Sequence, residues 1–330
     1  MSAKTTITST ADLKKLAMDF VSVSQGAAVA SYPWVGKGNK IEADGAGTEA
    51  MRQAMNEIDM LGVVVIGEGE MDEAPMLYIG EELGTGNGPH IDIAVDPVEG
   101  TTLMSTGQEN SLTVIACAPR GSLLHAPDMY MKKMAVGPKA KGCIDIDASL
   151  TDNMMAVAKA MNKDVTELTV MIQNRERHEG LINEVLALGA SIRLFPDVDI
   201  SGAVATAIDE IQVDMLVGTG GAPEGVITAV ALKCLGGDFQ AKLVPQDEAE
   251  IKRCLEMGIT EPEKKLTMDE LVRSDECFFV ATGITEGLLV KGIEKRENGL
   301  LQSESFVAIG GDVKTYQYIK SHHLASGEMK

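Results

Sequence analysis

Acidic residues occupy positions where strands should end. Glu68 directly follows a short β-branched run, Val63–Ile66 and Gly67, within Gly67-Glu68-Gly69-Glu70-Met71-Asp72-Glu73. Asp96 directly follows Ile91–Val95, within Asp96-Pro97-Val98-Glu99-Gly100-Thr101. Each run thus delivers a carboxylate at its carboxyl-terminal end, the sheet edge where ligand sites gather in open α/β sheets. Asp44 lies at the expected start of a helix, and Glu224 follows a further strand candidate in Gly220-Gly221-Ala222-Pro223-Glu224-Gly225.

Oxygen donors without nearby Cys or His favour hard cations, Mg²⁺, Mn²⁺ or Ca²⁺, over zinc. The histidines (His90, His125, His178, His322 and His323) have no ligand-like spacing. Crowded carboxylates repel one another unless cations lie among them. Two divalent cations about 3.5–4 Å apart can clamp the attacking and leaving oxygens of a phosphoryl group. Each acid alone has a plainer reading, as a helix N-cap, a solvated loop residue or, for Asp-Pro, a turn signal. The string Asp-Pro-x-Glu-Gly-Thr together with the upstream Gly-Glu-Gly-Glu is far more specific than any of its acids.

The elements that must position these residues follow from periodicity. Apolar residues recur at helical spacing from Ala11 (Leu13, Leu16, Ala17, Phe20, Val21, Ala27, Ala28), with Thr10 as N-cap and Pro33 as the break. A second helix is expected from about Ala43 to Asp59. Short apolar runs at 63–66, 91–95 and 112–116 read as buried strands. After Asp145, strand candidates at 168–172, 191–195 and 213–217 alternate with helices at 179–188, 200–209 and 222–235, the rhythm of a parallel or mixed sheet. Strands at 277–282 and 306–309 close the chain. The expected division is an N-terminal α+β metal-binding and catalytic domain over 1–147 and a C-terminal α/β substrate domain over 148–330.

The chain has 330 residues, 45% of them hydrophobic, and a formal net charge of −20. That balance disfavours nucleic acid or an anionic membrane as partner, because their phosphates need Lys and Arg. A phosphate substrate would need bound cations or local Arg and Lys to reverse the field. The five cysteines are scattered and form no C-x-x-C pair, which suits reduced thiols in a cytoplasmic protein. Residues 1–19 carry no apolar segment of signal-peptide type, and no apolar run approaches the length of a membrane helix.

Asp96-Pro97-Val98-Glu99-Gly100-Thr101 resembles the D-P-[IL]-[DE]-[GS]-T signature of the lithium-sensitive, metal-dependent phosphatase superfamily. More closely, Val65-Ile66-Gly67-Glu68-Gly69-Glu70, Ala74–Gly80, Ala126–Lys132, Gly220–Gly225 and Ala281–Thr285 resemble the class II fructose-1,6-bisphosphatases, from about Ala27 to the C-terminus. The resemblance implies an α/β (α+β) fold, the layered αβαβα sandwich of sugar phosphatases with two mixed β-sheets. It implies hydrolysis of the 1-phosphate of fructose 1,6-bisphosphate, a step of gluconeogenesis, by a cytoplasmic homo-oligomer, dimer or tetramer. Metal ligands, for Mn²⁺ or Mg²⁺, fall on Asp44, Glu68, Asp96, Glu99 and Glu224. The catalytic threonine falls on Thr101, which would orient or help deprotonate the attacking water, and Asp44 and Glu68 are implied as catalytic residues beside it. Glu70 and Asp72 would lie near the metals. Glu99, Gly100 and Thr101 would touch the scissile phosphate, and Gly221 belongs to the implied substrate contacts. Tyr130, Arg175, Arg177, Asp197 and Asp199 would hold the rest of the substrate, with the arginines on the distal phosphate.

Two positions depart from the family pattern. Arg175-Glu176-Arg177-His178 stands where Lys or a similar residue, then Pro-Arg-His, is usual, and Val198 stands in the middle of the usual Asp-Gly-Asp. Valine disfavours the positive φ angles open to glycine. Either that turn does not need glycine, or sugar recognition differs. A related phosphatase acting on sedoheptulose 1,7-bisphosphate or an inositol phosphate, and a non-catalytic sugar-phosphate binder, are the competing readings. The paired arginines favour a bisphosphate, and Thr101 favours an enzyme.

Overall fold

The computed structural model describes residues 10–67 and 76–324. Chain contacts divide the protein into two compact units. One holds the residues up to Gly121 and those from Glu276 onward, and the other holds Ser122–Asp275. The contacts do not part at the expected 147/148 boundary, for two reasons visible in the strand pairing given below.

The first unit begins with helix α1 (Thr10–Ser31), α2 (Lys40–Asn56), β1 (Leu61–Ile66), β2 (Glu82–Leu83), β3 (His90–Glu99), the short α3 (Thr101–Ser105) and β4 (Leu112–Pro119). The second unit follows with β5 (Tyr130–Val136), α4 (Leu150–Met161), β6 (Thr169–Gln173), α5 (Glu179–Ala187), β7 (Ser191–Phe195), α6 (Asp199–Ala205), β8 (Met215–Gly221), α7 (Ala222–Leu235), β9 (Asp238–Leu243), α8 (Glu248–Glu256) and α9 (Met268–Leu271). The chain then returns to the first unit as β10 (Phe278–Gly283), β11 (Glu294–Lys295), β12 (Leu301–Ile309) and β13 (Thr315–His323). Strand β5, on the amino-terminal side of the expected boundary, pairs with β8 and β9. Strand β10, on its carboxyl-terminal side, pairs with β4.

Both sheets are mixed, as expected. The first runs β11-β12-β10-β4-β3-β1-β2, with β13 on β12; the second runs β7-β6-β8-β5-β9. Among the described residues, only β1 and β3 pair in parallel in the first, and in the second β6 pairs in parallel with both β7 and β8. Parallel neighbours end at one sheet edge, so everything carried just past their carboxyl ends converges there.

Helices α1 and α2 bury Leu13, Phe20, Met51 and Met55 against Ile93, Val95, Phe278 and Val280 of the first sheet. In the second unit α4 and α5 cover Val170, Ile172 and Val217 with Met154, Val157 and Val185. Thr10 is the first helical residue of α1, and α2 starts at Lys40 rather than Ala43 because Asn39 caps it, accepting from the Glu42 N–H. Asp44 therefore sits inside the second turn and is not a cap. Helix α2 packs on β3 at Gly47, where a Cβ would lie 2.6 Å from Ser31 Oγ and 3.1 Å from Val98 Cγ2.

Two substitutions probe this packing. Gly26, mid-way along α1, has nothing within 4 Å of its would-be Cβ, so Gly26→Ala should raise stability by up to about 1 kcal/mol through helix propensity. Gly47→Val should lower it by about 1–3 kcal/mol through overpacking. An unchanged or raised thermal midpoint in Gly47→Val would show that α2 does not rest on β3 at Gly47.

Candidate functional site

In the first unit the acids are set by an irregularity in β3. Asp96 pairs with Val114, yet Glu99 pairs with Leu112, so Pro97 and Val98 together oppose Thr113 alone. The extra residue is a β-bulge. Residues three apart on a regular strand face opposite ways, and one extra residue changes that parity, bringing Asp96 and Glu99 to the same face. Pro97 costs no ladder bond at a bulge, and its carbonyl accepts from Thr113 Oγ1 at 3.0 Å. Val98 N–H donates to Asp96 Oδ1 at 2.9 Å, holding the carboxylate close to its own backbone. Val98 itself is buried with Ala43 and Met104, which ties the bulge to the turn of α2 bearing Asp44.

Gly100 follows at φ 77°, a left-handed conformation that suits glycine and turns the chain into α3. Thr101 begins that helix and donates its hydroxyl to Val98 O at 3.0 Å. Ser111 Oγ holds Glu99 O at 3.0 Å, and Lys40 Nζ donates to Thr102 Oγ1 at 2.7 Å.

Asp44 meets this loop from α2. Its Oδ1 is buried and accepts no hydrogen bond. Burial first, and then the neighbouring Asp96 charge, push its carboxyl up to about 6, against smaller lowering effects from the Thr101 hydroxyl and Lys40. Glu68 lies outside the described residues, as do Glu70 and Asp72. Gly67, the last described residue before Glu68, would place a Cβ 2.2 Å from Leu77 O, so this glycine is required by a close backbone approach. Among the described residues no three His, Cys, Asp or Glu side chains are close enough together to hold a metal. The fit to a hard cation rests on chemistry instead: an all-oxygen donor set, one orphaned buried carboxylate oxygen, and two mutually repelling aspartates.

In the second unit the remaining expected residues share one sheet edge. Arg175 and Arg177 follow β6, Asp197 and Asp199 follow β7, Gly221 ends β8 and Glu224 follows it in α7. Tyr130 opens the antiparallel β5 directly across from Gly221. Arg175 Nη2 lies 3.9 Å from Asp197 Oδ1. Arg177 donates from Nε and Nη2 to Thr219 O at 3.0 and 2.8 Å and from Nη2 to Gln173 Oε1 at 2.9 Å, with its guanidinium carbon 5.1 Å from the Tyr130 ring centroid. A Cβ on Gly221 would fall 1.9 Å from Glu224 Oε2, so the Glu224 carboxylate lies against that glycine.

Periodicity did not single out the residues that hold this edge in place. His178 is buried. Its Nε2 accepts from Thr219 N–H at 2.8 Å, so Nδ1 carries the proton given to Gln173 O at 2.8 Å. Burial lowers its pKa and keeps it neutral in that tautomer. Lys133 is buried at 2% exposure, with Nζ 2.6 Å from Asp199 Oδ2. Its signal in the sequence is the alternation with Met131 and Ala135, which places it on their inward face. Val198 adopts φ 69°, ψ 73°. The turn therefore does need the left-handed conformation, and valine occupies it at a strain of roughly 1–3 kcal/mol.

The family model described as "Bacterial fructose-1,6-bisphosphatase, glpX-encoded" matches residues 14–323. Fructose-1,6-bisphosphatase 1 class 2 of Escherichia coli (strain K12) is 44% identical over 323 residues, covering 94% of this chain and 95% of that one. Fructose-1,6-bisphosphatase class 2 of Haemophilus influenzae is 42% identical over 94% of this chain and 96% of its own. Among solved structures, the extragenic suppressor protein SuhB from Bartonella henselae aligns with a TM-score of 0.32 at 12% identity, covering 58% of this chain and 72% of that one. With the family model spanning nearly its whole length, this chain belongs to the GlpX-type, class 2 bacterial fructose-1,6-bisphosphatase family.

Proposed function

We infer that the chain hydrolyses fructose 1,6-bisphosphate to fructose 6-phosphate and inorganic phosphate. The observation that carries this reading is 44% identity over 94% of the chain to a class 2 fructose-1,6-bisphosphatase. We assign the 1-phosphate as the one released. The P–O bond to the sugar breaks, a water oxygen takes its place on phosphorus, and the sugar oxygen leaves as a hydroxyl.

Asp44, Asp96 and Glu99, with Glu68 and Glu224, are the residues we assign to hold divalent cations, Mn²⁺ or Mg²⁺. Bound there, such ions neutralise phosphate oxygens and acidify water. Thr101 orients the attacking water through its hydroxyl, whose bond to Val98 O supports its rotamer. Glu99 and Gly100 present backbone and side chain to the scissile phosphate. Arg175 and the uncommitted Nη1 of Arg177 hold the distal phosphate, while Tyr130, Gly221, Asp197 and Asp199 receive the sugar. Family membership also supports a cytoplasmic homo-oligomer as part of this proposal. Among the described residues no helix is long and apolar enough to cross a membrane.

Phosphate release should vanish on chelation and return with Mn²⁺ or Mg²⁺; release that persisted in chelator would remove the cations from the reaction. Thr101→Ala loses one hydrogen bond, about 1 kcal/mol of stability, and should lower kcat by about 100-fold or more. Unchanged turnover would take Thr101 out of the mechanism.

Asp44 gives a test that needs no turnover. Its folded carboxyl keeps its proton up to about 6 against 3.8 for the ordinary group. The folded state therefore binds more protons than the unfolded one in that window, and metal-free stability falls as pH rises through it. Asp44→Asn should flatten this fall. Added Mn²⁺ should raise the thermal midpoint more at pH 7.5 than at pH 5, and less in the variant. A cation shift that is equal in both proteins and at both pH values would mean that no ion binds at Asp44.

A further inference from the structure

No step above uses Lys133, although it is the most deeply buried cation on this sheet edge. It projects from β5, between the cross-strand partners Gly218 and Ala241. Glycines surround its tip. A Cβ on Gly220 would lie 3.2 Å from Nζ and 2.4 Å from Asp199 Oδ2, and one on Gly225 would lie 3.4 Å from Cε. The corner between β8 and α7 is thus shaped to admit this side chain and the carboxylate it grips.

A buried ion pair is weak as a stabilising device, since its desolvation cost offsets its attraction and an apolar pair often does as well. What the pair fixes here is geometry. Asp199 immediately follows Val198, whose left-handed conformation a valine resists. Asp199 Oδ2 is committed to Lys133 at 2.6 Å, while its Oδ1 accepts no hydrogen bond. The carboxylate is only partly covered, at 14% exposure. Lys133 anchors one oxygen and the other is enclosed, so the carboxylate is fixed in one orientation.

We propose that Lys133 is a positioning residue for the sugar: it clamps Asp199 and the strained Val198 turn so that the 197–199 turn keeps the geometry in which it meets the sugar. The proposal rests on the reading that this unit receives the sugar. Lys133 touches neither substrate nor cation and acts through Asp199. The strain makes the clamp necessary, because a glycine at 198 would hold the same turn unaided.

The test uses the full chain and two readouts: steady-state kinetics on fructose 1,6-bisphosphate with saturating Mn²⁺, and equilibrium binding of fructose 6-phosphate to metal-free protein by calorimetry. Lys133→Met should raise KM and weaken fructose 6-phosphate binding about 10-fold or more, the scale of a charged hydrogen bond, with kcat changed by much less. Val198→Gly added to Lys133→Met should recover most of that loss, which lost packing alone would not do. Combining Lys133→Met with Asp199→Asn should bind no more weakly than Asp199→Asn alone. This double variant removes both charges and carries the test if circular dichroism shows Lys133→Met unfolded. Unchanged KM and binding in folded Lys133→Met, or losses that multiply in the double variant, would overturn the proposal. Failure of the wild type to release phosphate with any divalent cation would instead overturn the phosphatase reading, and the binding comparison would still judge Lys133.

Discussion

The one-residue bulge in β3 is the constraint from which the acidic cluster of the first unit follows. Without it Asp96 and Glu99 would face opposite sides of the sheet, and no rotamer change could reunite them. The sequence around the bulge is matched to that purpose. Proline sits where no ladder donor is needed, valine buries the bulge against α2, and glycine takes the left-handed turn into Thr101. Asp44 then approaches from a helix seated on the bulge at Gly47, so a local distortion of one strand and the close packing of one helix are the same structural event.

Gathering acids this way is unfavourable by itself. A carboxyl pushed up to about 6 by burial and by Asp96 marks a folded state that would rather keep a proton there. The tension suits a chain of net charge −20 that must accept an anion. Divalent cations at the acids would reverse the local field, and the cations of the second unit are held tightly rather than scattered. Arg177 is braced by Thr219 O, Gln173 and the Tyr130 ring, which leaves its planar fork little freedom to lose when a phosphate arrives.

Much of this arrangement was legible before any coordinates. The β-branched runs at 63–66 and 91–95, the acids just past them, and the alternation of strands and helices after residue 165 were all local patterns, and local patterns survive folding. Gly67 beside Glu68 permits the close approach that Leu77 O makes. What was illegible depended on distant partners. Strand β5 hides because Lys132 and Lys133 are adjacent, one exposed and one buried, which breaks the apolar alternation. The contact units differ from the expected division because β10 returns to β4 across more than 150 residues, and nothing in either strand announces its partner. The bulge was equally silent: Asp-Pro reads as a turn, and only the register with β4 shows it continuing as strand.

Val198 is the instructive failure of pattern. Sequence reasoning left two choices, a turn that does not need glycine or altered sugar recognition. The structure shows a third, in which valine adopts the conformation glycine would have taken. A strain of roughly 1–3 kcal/mol persists only when surrounding contacts over-determine it. Here those contacts are visible: the valine side chain is buried at 2% exposure, and the next residue is gripped by Lys133. A rule broken at one position is therefore offset at a position 65 residues away in sequence, on a strand that periodicity did not reveal. The exception at Val198 and the concealed Lys133 are two sides of one local balance, and neither can be understood from its own stretch of sequence.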